Sequence, residues 1–520
     1  MLEMFTIFAV FAASGAWPVP DLNEAVYLTK ALHFADRSWA AGDFFLETPD
    51  AHGVFYRLIA PLTAATGLET AAWVGRVLGW LALAGGFRHA VAPLLEARWS
   101  RILAAALWAL ALRQTTMAGE WVIGGCEAKV FAWAFVLLAI GELAADRFAP
   151  SWLALGLATA IHPIVGGWGL VALVASGGRP PRFTPVEMTM LAVGTAAAAC
   201  GVVPALGLSA VDAATKAAAA RIYVVERLPH HLLLRSFPEP LVARYLLAVA
   251  CWWLLDRAVE ETAARRRFRS FTLAALAISL CGVLISLAEP FAPGITHGLL
   301  RFYWFRLADV IVPLALAVSL AAVLADEAVC RRIFPRAPRL VRGACVFLLC
   351  IDIAVQSRHW PLPGRSGLGA RADANVEPAG WADICNWVRE HCTADACFLT
   401  PRGSATFTWR TGRREVVSWK NSPQDAASLI EWRRRIVDCF SKEGSLVGME
   451  RSTAALGPDR IRLVRDRCRA DHLILPLETP GIDLVPGERL FANGVYAVYR
   501  LDAGSGAAET RSGVSHEEQR

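Results

Sequence analysis

Asp21 and Glu24 stand three residues apart in DLNEAVYLTK, directly after an apolar run that ends in WPVP. A carboxylate at the top of a membrane span can act as a general base or hold a divalent cation. A single loop acid is usually just solvated. Here Asn23, Tyr27, Lys30 and His33 follow closely, then Asp43, and the stretch from Asp21 to Asp50 holds six acids. A second group is Glu127 with Lys129 in GGCEAKVF, behind Gly124-Gly125, where backbone can approach another group closely. Interfacial anchoring accounts for that acid and lysine equally well. In VVERLPHHLLLRSF, Arg227 precedes His230 and His231. Adjacent histidines lack a metal-ligand spacing, whereas Arg with His suits hydrogen bonding to a phosphate or sugar. Finally, Arg301, Arg306 and Asp309 enter an apolar run in LLRFYWFRLADVIVPLALA. Charges inside a span are costly and face a cavity or each other. Arg306 and Asp309, at i and i+3, are spaced to pair. Arg301 is then left for a lipid-linked phosphate.

The elements that must position these groups are membrane spans. The 520 residues are 55% hydrophobic and 19% charged, too apolar for an ordinary soluble enzyme of that size. Runs of roughly span length occur at 2–17, 70–91, 101–118, 121–143, 186–208, 240–257, 271–288, 302–325 and 341–357. Residues 2–17 lack a basic n-region, and Glu3 has the wrong sign for a signal peptide, so they read as a first span. Residues 54–66 carry Arg57 and read as a half-helix or interfacial helix. His162-Pro163 divides 151–176 into two halves, and the histidine reads as structural.

Basic residues decide the path. If 151–176 turns back as a re-entrant hairpin, one set of gaps holds 16 Lys/Arg in 62 residues and the opposite set 9 in 96. That nearly threefold bias in density favours the hairpin, a cytoplasmic N-terminus and an exterior C-terminal part. All the polar loops named above then share the exterior face. The net charge of +6 is orientation signal of this kind and not a nucleic-acid signature.

After residue 360 the composition changes. The reading is a membrane domain over 1–360, a linker over 361–375, an exterior α/β domain over 376–503 and a disordered tail over 504–520. Trp381, Ile384, Cys385 and Val388 mark an amphipathic helix. ACFLTP, EVVSWK and DHLILPL read as strands, DRIRLVRDRC as a helix, and Asn493-Gly494 as a hairpin turn into VYAVYRL. Ser422, Pro423 and Asp425 predict a capped helix with Pro423 at its first position. Five of the twelve Cys lie in this part, which in an exported domain allows one or two disulfides. RTGRREVVSWK and EWRRRIVDCF are basic, as a solvated face or a surface for a polyanion or lipid would be. The fold class is a polytopic α-helical membrane protein of about 9–11 spans, half-helices included, with a C-terminal exterior α/β domain.

The whole pattern resembles the C-type membrane glycosyltransferases, a group that includes oligosaccharyltransferases and protein mannosyltransferases. The resemblance rests on a first exterior loop with Asp21, Glu24 and Asp43, a second exterior acid at Glu127, half-length helices and a C-terminal exterior domain. NEAVYLTK, HP…GG, RLPHHL, FRLAD and the stretch from WADICNWV through EWRRR to NGVYAVYRL are similar to an uncharacterised bacterial family of this type. The resemblance implies a bacterial inner-membrane enzyme that moves a sugar from a polyprenyl-phosphate donor, with inversion, to a glycan, lipid or protein acceptor. It implies Glu24, with Asp21, as the proton acceptor, and Glu127, Lys129, Arg227, His230, His231, Arg301, Arg306 and Asp309 as substrate-binding groups. A divalent cation, Mg or Mn, would sit at Glu24 and Glu127. The first loop has no Asp-Asp or Asp-Glu dipeptide, only D-x-x-E, a departure that bears on both the base and the metal. A lipid or sugar carrier and a non-catalytic binding scaffold are the rival classes. Carriers place their site near the midplane, whereas here the polar groups gather at one face.

Overall fold

A computed structural model describes residues 1–177, 182–365 and 368–502. The tail over 504–520, and residues 366–367 of the expected linker, lie outside the described residues. The chain forms two compact units. The first comprises Met1–Ala31, Pro49–Arg365 and Gln424–Ala427. The second takes Leu32–Thr48 from the first loop together with described residues of the C-terminal part. Asp43 therefore belongs to the second unit.

The first unit is helical, and each of the nine apolar runs carries a helix. Among the described residues, four helices are long and apolar enough to cross a membrane: Pro185–Gly207, Ala263–Leu287, Arg306–Ala325 and Pro338–Ser357. Arg306–Ala325 is the central helix, with nearly every side chain buried, whereas Pro338–Ser357 buries none. An apolar helix with no buried face needs an apolar surrounding, which a bilayer supplies. Small residues set the close packing that helices in lipid depend on. A Cβ on Gly156 would come within 2.1 Å of Gly194 O, and one on Gly201 within 2.1 Å of Thr159 O.

Two segments needed special geometry. Residues 151–176 break as expected into helices Phe148–Ile161 and Pro163–Ala175, with His162 extended between them. The halves fold onto each other, Gly166 lying against the backbone of Thr159. Residues Gly53–Thr66 form a 14-residue helix, about two-thirds of a span. The run at 121–143 differs. Its helix starts only at Ala128, and the preceding residues are a loop.

The second unit holds a five-stranded mixed sheet in the order β2-β1-β3-β5-β4, from β1 (Cys397–Leu399), β2 (Arg414–Glu415), β3 (His472–Pro476), β4 (Gly487–Ala492) and β5 (Tyr496–Leu501). Helix Pro378–His391 lays Trp381, Ile384, Cys385 and Val388, all fully buried, against Phe398, Phe407, Ile474 and Val498. Asn493 makes the β4–β5 turn, its Oδ1 accepting from Val495 N and Tyr496 N. EVVSWK is a strand only at its start. Its partner β1 ends at Leu399, and only Cys397 and Phe398 pair with it. The helix expected to begin at Pro423 begins at Ala426. All twelve thiols are free, so neither possible bridge forms, and Cys385, Cys397 and Cys439 are buried.

Candidate active site

Glu24 and Asp21 are wholly buried. Arg76, from helix Leu68–Val91, straddles Glu24: Nε lies 2.7 Å from Oε1 and Nη2 2.5 Å from Oε2. Its Nη1 donates to Trp17 O. Cys126 N and Asp21 N each donate to Glu24 over 2.7 Å. Asp21 accepts from Gly125 N at 3.0 Å and Leu22 N at 2.8 Å. A Cβ on Gly125 would stand 2.6 Å from Glu24 Cδ, so only glycine permits this approach. Four donors saturate Glu24. With Asp21 it anchors the loop that precedes Ala128.

That loop carries further polar groups. Glu120 Oε2 accepts from Arg306 Nε at 2.9 Å. Its Oε1 faces Lys129 Nζ at 3.6 Å and accepts no hydrogen bond. Lys129 also lies 3.7 Å from Glu127 and 3.1 Å over the Trp121 ring. Asn23 Nδ2 donates to Glu127 at 3.1 Å. Burial pushes the Glu120 carboxyl up, but Arg306 and Lys129 prevail and hold it below its ordinary value, so it is ionised. The expected Arg306–Asp309 pair does not form. Asp309 instead accepts from Met117 N and Ala118 N, each at 2.8 Å, and from Glu120 N at 3.4 Å. Loop N–H groups with no partner of their own outcompete a neighbour on the same helix. Asp309→Ala strands those donors in the interior and is expected to cost about 2–4 kcal/mol, read as a lowered thermal midpoint; an unchanged midpoint would refute this anchoring role.

A third group faces Arg306. Its guanidinium stacks on Tyr303 at 3.8 Å, and Tyr303 and Tyr223 share a 3.0 Å hydroxyl hydrogen bond. Arg227, at the end of the π-helical turn Ile222–Arg227, is 9% exposed and feels both tyrosines. Arg301 lies near Tyr223 and Phe302 and has no ion pair among the described residues. His231 Nδ1 sits 2.5 Å from Ala118 O, and burial with His230 beside it lowers the imidazole to about 3. It is therefore neutral, donating from Nδ1. His230 is exposed.

The fourth group is Asp50 with His52. Asp50 Oδ1 accepts from His52 N at 2.9 Å and meets His52 Nδ1 at 2.7 Å. Lys30 Nζ is 3.6 Å from Oδ2. Burial raises this carboxyl, but Lys30 and His52 outweigh it and hold it below the usual range. His162 caps helix Pro163–Ala175 and packs edge-on against His52 with centroids 4.8 Å apart. Tyr27 ties the groups together: it packs on His52 at 5.2 Å and feels Glu127, Asp50, Arg306 and Tyr303.

Of the sequence candidates, Glu127, Lys129, Arg227, His231, Arg301 and Arg306 thus share one polar cluster within the first unit. Asp43 lies in the second unit, and Glu24, Asp21 and Asp309 are anchors. Glu120, Asp50, His52, Tyr27 and Arg76 were not singled out as site residues. Arg76 had a signal, a charge within an apolar run; Asp50 and His52 had only a D-x-H spacing.

The expected divalent cation does not fit these residues. Arg76 occupies both Glu24 oxygens, and the Lys129 ammonium sits where a cation shared by Glu120 and Glu127 would be. Among the described residues no three His, Cys, Asp or Glu side chains come together as metal ligands.

Fold and composition define a helical membrane protein with a small mixed α/β unit. Residues 379–439 match a family described as a domain of unknown function, DUF6798. No curated protein matches the chain. Among solved structures, the arabinofuranosyltransferase AftD from mycobacteria is 15% identical with a TM-score of 0.46, over 97% of this chain and 41% of that one. The chain thus spans less than half of that protein's length.

Proposed function

We propose that the protein is a membrane glycosyltransferase of the C-type superfamily that moves a sugar from a polyprenyl-phosphate donor to an acceptor hydroxyl. The observation that carries this reading is the arginine–tyrosine group beside a buried, ionised acid network. Arg301, Arg227, Tyr223 and Tyr303 offer donors without an acid facing Arg301, as an anionic phosphate requires. Glu120 and Glu127 neutralise Arg306 and Lys129, so the positive surplus falls on the phosphate side. As the anomeric C–O bond breaks, charge grows on the departing phosphate, and fixed guanidinium groups stabilise that charge more than the ground state. The distribution of Lys and Arg supports placing this cluster at the exterior face of a bacterial inner membrane.

The test is transfer by the full chain in nanodiscs from a panel of radiolabelled polyprenyl-phosphate monosaccharides. Inverted product is expected, and Arg301→Gln is expected to slow transfer about 100-fold, the scale for losing one transition-state donor. Intact donor moved across sealed vesicles, with no sugar transferred, would make the protein a carrier instead.

A further inference from the structure

We infer that His52, oriented by Asp50, takes the proton from the acceptor hydroxyl; the inference rests on the glycosyltransferase reading and names its base. An ionised carboxylate only accepts, so the 2.7 Å contact between Asp50 Oδ1 and His52 Nδ1 requires the hydrogen on Nδ1. In the neutral imidazole Nε2 then holds the lone pair, and it makes no hydrogen bond among the described residues. Gln424 Nε2, 3.3 Å from the same Nδ1, is a packing neighbour in this tautomer, because two donors cannot bond. The backbone closes the arrangement: His52 N donates to Asp50 Oδ1, so one oxygen fixes both the main chain and the ring.

The groups facing the imidazole are Asp50, His162, Tyr27 and Tyr56, with Lys30 on the far side of Asp50. Tyr27 places His52 alongside the cluster that contains Glu127 and Arg306. Glu24 is saturated by four donors, and Glu120 is bound to Arg306. Glu120 Oε1 accepts no hydrogen bond but faces the Lys129 ammonium, whereas His52 Nε2 offers an open lone pair beside the same cluster. In the step, the acceptor oxygen forms its bond to the anomeric carbon while its proton goes to Nε2. The bond from that carbon to the phosphate oxygen breaks, and the electron pair leaves on the polyprenyl phosphate. Asp50 stabilises the imidazolium that results.

The experiment uses the full chain in nanodiscs and the same radiolabelled polyprenyl-phosphate sugars. His52→Gln is expected to lower kcat about 100-fold or more with the donor KM nearly unchanged, the usual scale for losing a general base. His52→Ala is expected to regain rate on addition of imidazole, which a packing role would not allow. Asp50→Asn is expected to lower kcat while the protein melts as a single species. If the wild type transfers sugar and His52→Gln keeps its kcat, or imidazole restores nothing to a folded His52→Ala, the base is elsewhere while the glycosyltransferase reading stands. If the wild type transfers nothing from any donor, both fall together.

Discussion

Arg76→Met is expected to destabilise the first unit by about 3–5 kcal/mol, the scale for stranding one partner of a buried ion pair. Arg76 and Glu24 are both completely buried, and the guanidinium satisfies Glu24 at two oxygens while tying Trp17 O to the same point. Without it, the backbone donors Cys126 N and Asp21 N remain, and they carry no net charge. The carboxylate then either takes up a proton or draws water into the helix packing, and the loop bearing Glu120 and Glu127 loses its footing. Arg76→Lys cannot substitute, because a single ammonium does not reproduce a fork that meets two oxygens and a carbonyl. Arg76→Met combined with Glu24→Gln is expected to recover much of the loss, since it removes both charges together. Thermal midpoints of the purified protein in nanodiscs decide the matter. A single variant that melts with the wild type would show that the pair does not anchor the fold.

Glu415→Gln is expected to remove a pH dependence from the second unit. Glu415 Oε1 accepts from Thr400 and Ser404 hydroxyls, and Glu415 N donates to Asp43 Oδ2 at 2.9 Å. Burial, with the Asp43 charge adding to it, raises Glu415 from 4.5 to about 8. The fold therefore keeps a proton that the unfolded chain has already released. Between those two values the unfolded state binds fewer protons, so stability falls as pH rises and levels off above about 8. The shift corresponds to at most about 5 kcal/mol. Near pH 4 the variant and wild type should melt alike, and their difference should grow in favour of the variant toward pH 8. Trp381 and Trp432, both fully buried in this unit, give the fluorescence signal. Parallel pH profiles for the two proteins would show that Glu415 is not protonated in the fold.

Local grammar carried much of the architecture. The stripe Trp381, Ile384, Cys385, Val388 faces the sheet because 3.6-residue periodicity leaves no other choice. His162-Pro163 breaks its helix because proline removes the hydrogen bond at that point. The site was less legible, since its partners are chosen by tertiary packing. Glu24 meets Arg76 across 52 residues, and Asp309 meets Met117 across 192. Spacing suggested Arg306–Asp309, and the loop N–H groups that defeat that pair cannot be read from the helix carrying it. Arg76 could have been found by the rule that flagged Arg306, that charge within an apolar run needs a partner. Asp50–His52 depends on a backbone turn that brings residues two apart face to face, for which composition gives no cue.

The placement of Asp43 bears on how the chain is made. β2 is an outer strand of its sheet, and the Glu415 N–H that a neighbouring chain would seek is held by Asp43, 372 residues earlier. At about 5–20 residues per second, ribosomal synthesis separates the two by about 20–70 seconds. Until residue 415 emerges, Leu32–Thr48 must wait unpaired, and until the two meet, that strand is open to a wrong partner. This edge of the sheet is therefore expected to be completed only late in synthesis, after most of the polypeptide has been made.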